Sequence, residues 1–168
     1  MLEELSAESK NKLNTFMFIW FLMLGAQIIY LFVCYYILKE GLYKSIYSLE
    51  ILNKNIYLGI DLYTLIHIVS ILILIAGYFF FTKNYSKLVD KTNKTKFQNI
   101  EEEFDFFSTK YISMMFVYLA IFEIIAIIGL LVFLTTLDFY TAMNLIIIAV
   151  IGFILVMPNK NKFNYNAS

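Results

Sequence analysis

Tyr111–Leu134 reads YISMMFVYLAIFEIIAIIGLLVFL, and apart from Ser113 and Glu123 every residue in it is apolar, aromatic or small. A helix over this run, rising about 1.5 Å per residue, exceeds the roughly 30 Å of hydrocarbon in a bilayer. A core helix of a water-soluble protein would carry polar residues along one face at helical period, and this run does not. Strands of a membrane barrel would alternate over about ten residues, which it also does not. The run predicts a transmembrane helix with a carboxylate near its middle. At that depth a carboxylate costs roughly 2.5–3.5 kcal/mol on insertion scales, so a partner is expected and often a task.

Three further stretches extend the reading: Asn14–Leu38, Gly59–Phe81 and Phe139–Met157. Each is close to the ~20 residues a spanning helix needs. The composition agrees, at 61% hydrophobic and 15% charged with a mean hydropathy of +0.73, outside the range of a soluble domain. The predicted fold class is an all-α integral membrane protein. It is a four-transmembrane-helix bundle forming a single transmembrane domain over residues 1–168, with a hairpin loop at 82–110. The first stretch is too long for a secretory signal. It follows Glu3, Glu4, Glu8, Lys10 and Lys12, and no small-x-small cleavage site comes after it, so it is expected to be retained. A single cysteine, Cys34, excludes an internal disulfide or a CxxC pair.

Lysines set the orientation, since no Arg occurs. Lys10, Lys12, Lys83, Lys87, Lys91, Lys94, Lys96, Lys110, Lys160 and Lys162 fall on one side, against Lys39, Lys44 and Lys54 on the other. Ten against three predicts that both termini and the 82–110 loop are cytoplasmic. The membrane expected is the prokaryotic cytoplasmic (inner) membrane. Tyr30, Tyr35, Tyr36, Tyr57, Tyr63 and Tyr140 gather toward the outer ends of helices, where amphipathic rings favour the interface. Between the first two spans, Leu42, Ile46, Leu49 and Leu52 recur beside Tyr43 and Tyr47. That pattern fits either a short helix lying on the outer leaflet or an ordinary structured loop.

The 82–110 loop divides by charge, with lysines first and Glu101, Glu102, Glu103 and Asp105 after them. Lys83, Lys87 and Lys91 share one face if the second helix runs on past the membrane, placed for anionic lipid headgroups. Asn99 and Glu102 have the spacing of a capping box, which starts the third helix near Ile100, its acids in a first turn that favours them. The loop reads as a charge-complementary solvated hairpin, with a protein-docking site as the alternative.

Counted from the cytoplasmic ends of the apolar runs, Gln27 lies ~20 Å deep, His67 ~21 Å, Glu123 ~18 Å and Asn144 ~20 Å. Four polar residues, one per helix, are therefore expected to meet as an intramembrane polar centre, because lipid offers no partners. Thr64 and Ser70 extend a polar stripe through His67, and Ala120 and Ala126 leave room around Glu123. Small residues recur seven apart at Ser70 and Gly77, Ser113 and Ala120, and Ala142 and Ala149. Trp20, Gln27 and Cys34 share a stripe at the same spacing. A Glu123–His67 pair would either fix helix register or handle protons, since an imidazole beside a carboxyl can take up and release one.

Other chemistries lack their residues. A haem between helices usually takes two axial ligands, and the chain has one His. One His and one Glu do not make a zinc site, and no Gly-rich phosphate loop, nucleophile elbow or HExxH is present. No catalytic residue, metal or cofactor is predicted, and neither is nucleic-acid binding. Asp61 and Asp138, at outer helix ends, read as interfacial anchors. The segment LAIFEIIAIIG (Leu119–Gly129), with the hairpin and Pro158 exit that follow, resembles the closing hairpin of an uncharacterised family of small four-helix bacterial membrane proteins. The resemblance covers Glu123, Gly129 and Pro158, while Ile124 stands where that pattern has Gly; it implies a fold and no activity. The expectation is a non-enzymatic accessory or assembly subunit, with a membrane-protein partner or a homo-oligomer. A proton-coupled transporter or ion-conducting unit using Glu123 and His67 is the alternative.

Overall fold

A computed structural model describes residues 5–57 and 59–163, with the backbone alone for Tyr57 and Lys160. Glu3 and Glu4 lie outside the described residues, as do the side chains of Tyr57 and Lys160. The chain forms α1 (Ala7–Glu40), a 3₁₀ turn (Leu49–Ile51), β1 (Asn55–Tyr57), β2 (Ile60–Asp61), α2 (Leu62–Lys94), α3 (Ile100–Thr136), α4 (Phe139–Leu155) and α5 (Lys160–Phe163). Three helices, α1, α2 and α3, are long and apolar enough to cross a membrane, and α4 is shorter. The connection between α1 and α2 is a structured loop with the 3₁₀ turn and a two-stranded antiparallel hairpin.

Each long helix begins and ends on a local signal. Ser6 caps α1 through its hydroxyl, and Gly41, at φ 61°, closes it in a left-handed turn with Leu42 N–H bonded to the Ile37 carbonyl. Asp61 accepts from Thr64 N–H at 2.7 Å at the start of α2, and Asp138 accepts from Tyr140 and Thr141 N–H at the start of α4. Both aspartates are therefore N-caps, which is why they sit at helix ends. Asn99 accepts from Glu102 N–H at 2.9 Å, and Glu102 reaches back to Gln98 N–H at 2.8 Å. This fixes the start of α3 at Ile100, where the sequence put it.

The apolar runs underestimate the helices, because helical hydrogen bonding continues past the last apolar residue. α2 runs on to Lys94 and α3 starts at Ile100, so most of 82–110 is helix and the connection is Thr95–Asn99. Ser6 N–H and the Ser9 hydroxyl both donate to Glu101, and Lys12 pairs with Asp105 at 2.8 Å, docking the start of α1 on this extension. Those donors, the Ser9 hydroxyl foremost, hold the Glu101 carboxyl below the usual carboxylate range.

The α3–α4 hairpin forms the centre. α1 and α2 each pack against both of its helices and, beyond isolated contacts, not against each other. The Phe122 ring of α3 is fully buried where a Cβ added to Gly77 of α2 or Gly152 of α4 would come within 2.6 and 2.5 Å of it. The two glycines thus let three helices close on one ring.

Candidate functional site

Glu123 follows Phe122 on α3 and takes its partners from α1. The stripe anticipated in the sequence is the buried side of that helix: Trp20, Gln27 and Cys34 are all buried. Gln27 Nε2 donates to Glu123 Oε2, and the Tyr30 hydroxyl donates to Oε1 at 2.9 Å. Tyr30 sits three residues after Gln27, so one face of α1 closes both carboxylate oxygens. Gln27 is fully buried and its Oε1 has no partner among the described residues. The buried Trp20 indole, two turns away, donates to the Phe153 carbonyl at 3.0 Å and ties α1 to α4.

His67 belongs to another level. Tyr63 and Asp138 line one cavity, so the first turn of α2 and the α3–α4 turn are level with each other. From there His67 is five residues down α2, roughly 7.5 Å, whereas Glu123 is thirteen residues from Thr136, roughly 20 Å. Gly129 abuts Ala142 and Leu145, which sets Asn144 about six residues, roughly 9 Å, from Glu123 toward the α3–α4 turn. The structure joins Glu123 to Gln27 and leaves His67 and Asn144 further toward the lysine-poor end. The pair expected between Glu123 and His67 is not formed. Depth counting placed the ends of the apolar runs in one plane, and the packing of α2 and α4 on α3 does not.

His67 Nδ1 lies 2.8 Å from the Tyr63 carbonyl, its ring 4.2 Å from that of Tyr63. A carbonyl only accepts, so Nδ1 carries the hydrogen. Nε2 is buried with no partner among the described residues, as is the Ser70 hydroxyl. Thr82, Thr92, Ser113, Thr135 and Thr136 instead bond to carbonyls three or four residues back. Thr64 is exposed beside the Asp61 cap.

At the lysine-rich end, Lys83, Lys87 and Lys91 are exposed along the extension of α2. Lys162, anticipated as a tail charge, is instead folded back. Its Nζ donates to the Leu155 and Met157 carbonyls at 3.0 and 2.9 Å and lies 5.0 Å from the Phe81 ring. Burial lowers its ammonium to about 8. Phe163 is buried against Phe104, Phe107 and Tyr111, and the Tyr85 hydroxyl donates to the Lys162 carbonyl at 2.8 Å. Sequence reading missed Tyr30 and Lys162 as site residues. The i, i+3 relation to Gln27 was a signal for Tyr30; nothing local marked Lys162.

No protein-family model, curated protein or solved structure matches the chain.

Proposed function

We propose that the chain is a non-enzymatic integral membrane protein, an accessory or assembly subunit of a membrane complex or of a homo-oligomer. The reading places it in a prokaryotic cytoplasmic membrane with four spans, both termini and the 95–99 connection in the cytoplasm. One observation carries the subunit role. Within the most apolar eighteen-residue segments, 11% of α1 and 17% of α2 is buried by the chain itself, against 44% of α3. Phe18, Phe21, Phe32 and Ile29 stand out along α1, all more than half exposed. Such faces meet lipid or another helix, and a bundle of four helices has little interior for a solute path. The Glu123 centre then serves as a brace that keeps α1 on the hairpin while its other face stays open.

Oxidative cross-linking in native membranes tests this, using Phe32→Cys with Cys34→Ala. A cross-link to a second copy or to one defined companion chain, lost when the cysteine is moved to buried Leu13, is the expected result. A protein that stays monomeric and unlinked in membranes and nanodiscs sinks the reading.

A second reading, proton-coupled transport or ion conduction, is favoured by the buried Nε2 of His67, which has no partner among the described residues, in a bundle that also holds the Glu123 carboxyl. Glu123→Gln keeps the shape and removes the titration. Unchanged proton flux through that variant in reconstituted vesicles would exclude this second role.

A further inference from the structure

Between the extension of α2 and residues 113–118 of α3, about four turns into that helix, runs an open groove of about 480 Å³. Its lining changes character along its length. Asn84 of α2 is bonded to Tyr118 of α3, so Lys87 and Lys91, three and seven residues further along α2, stand toward one end, and Met114 and Val117 line the part nearer Asn84. That bond, from Asn84 to the Tyr118 hydroxyl at 2.7 Å, joins the two helices in the groove wall and leaves both polar groups partnered. Among the described residues neither Lys87 nor Lys91 has a carboxylate partner. Lys91 lies 5.8 Å from the Phe106 ring.

Position gives this gradient a meaning. The apolar run of α3 begins at Tyr111, so Ser113, Met114 and Val117 are already inside it, yet they share a groove with two lysines. A lysine there lays its methylene stem along apolar surface and holds its ammonium at the boundary. Going from Lys91 to Lys87 to Val117, the groove runs from charge to hydrocarbon in the direction that a lipid runs from headgroup to tail. Two ammonium groups one turn apart complement a phosphate with net negative charge and repel the cationic end of a zwitterionic headgroup.

We infer that this groove binds one anionic phospholipid of the adjacent leaflet, its phosphate between Lys87 and Lys91 and an acyl chain along Met114 and Val117. The inference rests on the membrane reading and adds a site to it. Lys83 separates a site from general attraction: it is exposed on the same helical extension and does not line the groove.

The test reconstitutes the full chain in phosphatidylcholine vesicles doped with phosphatidylglycerol and counts, by native mass spectrometry, the phosphatidylglycerol kept after detergent extraction. One retained molecule is expected. Lys87→Gln with Lys91→Gln should reduce retention by about tenfold or more, and Lys83→Gln should leave it unchanged. Val117→Trp, which fills the groove and keeps both charges, should abolish it; circular dichroism and a thermal melt confirm that each variant is folded. Equal losses for Lys83→Gln and Lys87→Gln, or full retention in folded Val117→Trp, would reduce the effect to surface attraction and overturn the site. Retention of nothing by the wild type would overturn it too. Release of the chain from the vesicles by alkaline carbonate would remove the membrane reading itself, a separate and visible failure.

Discussion

Two hydrogen bonds from one face of α1 distinguish Glu123 from an isolated charge. Interhelical hydrogen bonds in membranes average about 0.6 kcal/mol and reach about 1.7, so the brace is modest in energy and specific in geometry. A double-mutant cycle of Gln27→Leu and Glu123→Leu, in which each change removes one partner of the bond, followed by unfolding in mixed micelles, should give a coupling in that range. The cycle of His67→Phe with Glu123→Gln should be additive within about 0.5 kcal/mol, because the residues share no partner. Coupling at His67 and none at Gln27 would refute the assignment of donors. Half of this site was legible in the sequence: a carboxylate within lipid needs donors, and the stripe of Trp20, Gln27 and Cys34 supplies a face. Tyr30 was hidden because a tyrosine near a helix end satisfies the interface rule equally well. The separation of His67 from Glu123 could not be read, since it depends on how far each helix slides along its neighbour.

Between elements, fit around Phe122 sets that slide. In the proposed membrane setting, lipid tails are as apolar as the helices, so association would rely on packing rather than on expulsion of water. The ring occupies the space that Cβ atoms at Gly77 and Gly152 would take. Gly77→Ala and Gly152→Ala should therefore each destabilise the bundle by about 1–3 kcal/mol through overpacking. Gly25 in α1 meets nothing within 4 Å, so Gly25→Ala should be neutral or stabilising by up to about 1 kcal/mol. The same mixed-micelle unfolding orders the three, and equal effects at all three would refute the interlock. The seven-residue spacing of small residues marked Ser70 with Gly77 and Ala142 with Ala149 correctly as buried positions. It also marked Ser113 with Ala120, which face outward. Spacing identifies a stripe and cannot say which side it is on, because a smooth stripe against lipid and one against a helix look alike in sequence.

Over the whole molecule, the question is whether all four helices cross. α4 has 17 residues, roughly 25 Å, a few ångströms short of average hydrocarbon thickness. Its neighbours resolve the shortfall in two ways. Asp138 caps it from the turn at one end, and at the other Lys162 Nζ holds the Leu155 and Met157 carbonyls. The carbonyls at that end of α4 are thus bonded, and in the proposed four-span arrangement local thinning of the bilayer would cover the remaining few ångströms at modest cost. Cysteine accessibility decides the outcome. In a Cys34→Ala background, Ser48→Cys and Tyr140→Cys should react with a membrane-impermeant maleimide added to intact cells. Asn93→Cys and Asn161→Cys should react only after permeabilisation. The full reverse would invert the orientation and keep the spans. Asn161→Cys labelling together with Tyr140→Cys from outside would leave α4 on the surface. In that case Gly152 would bring α4 against the Phe122 ring without crossing, the Lys162 clamp would lie on the outer face, and the lysine count that sets both termini inside would lose its last two members.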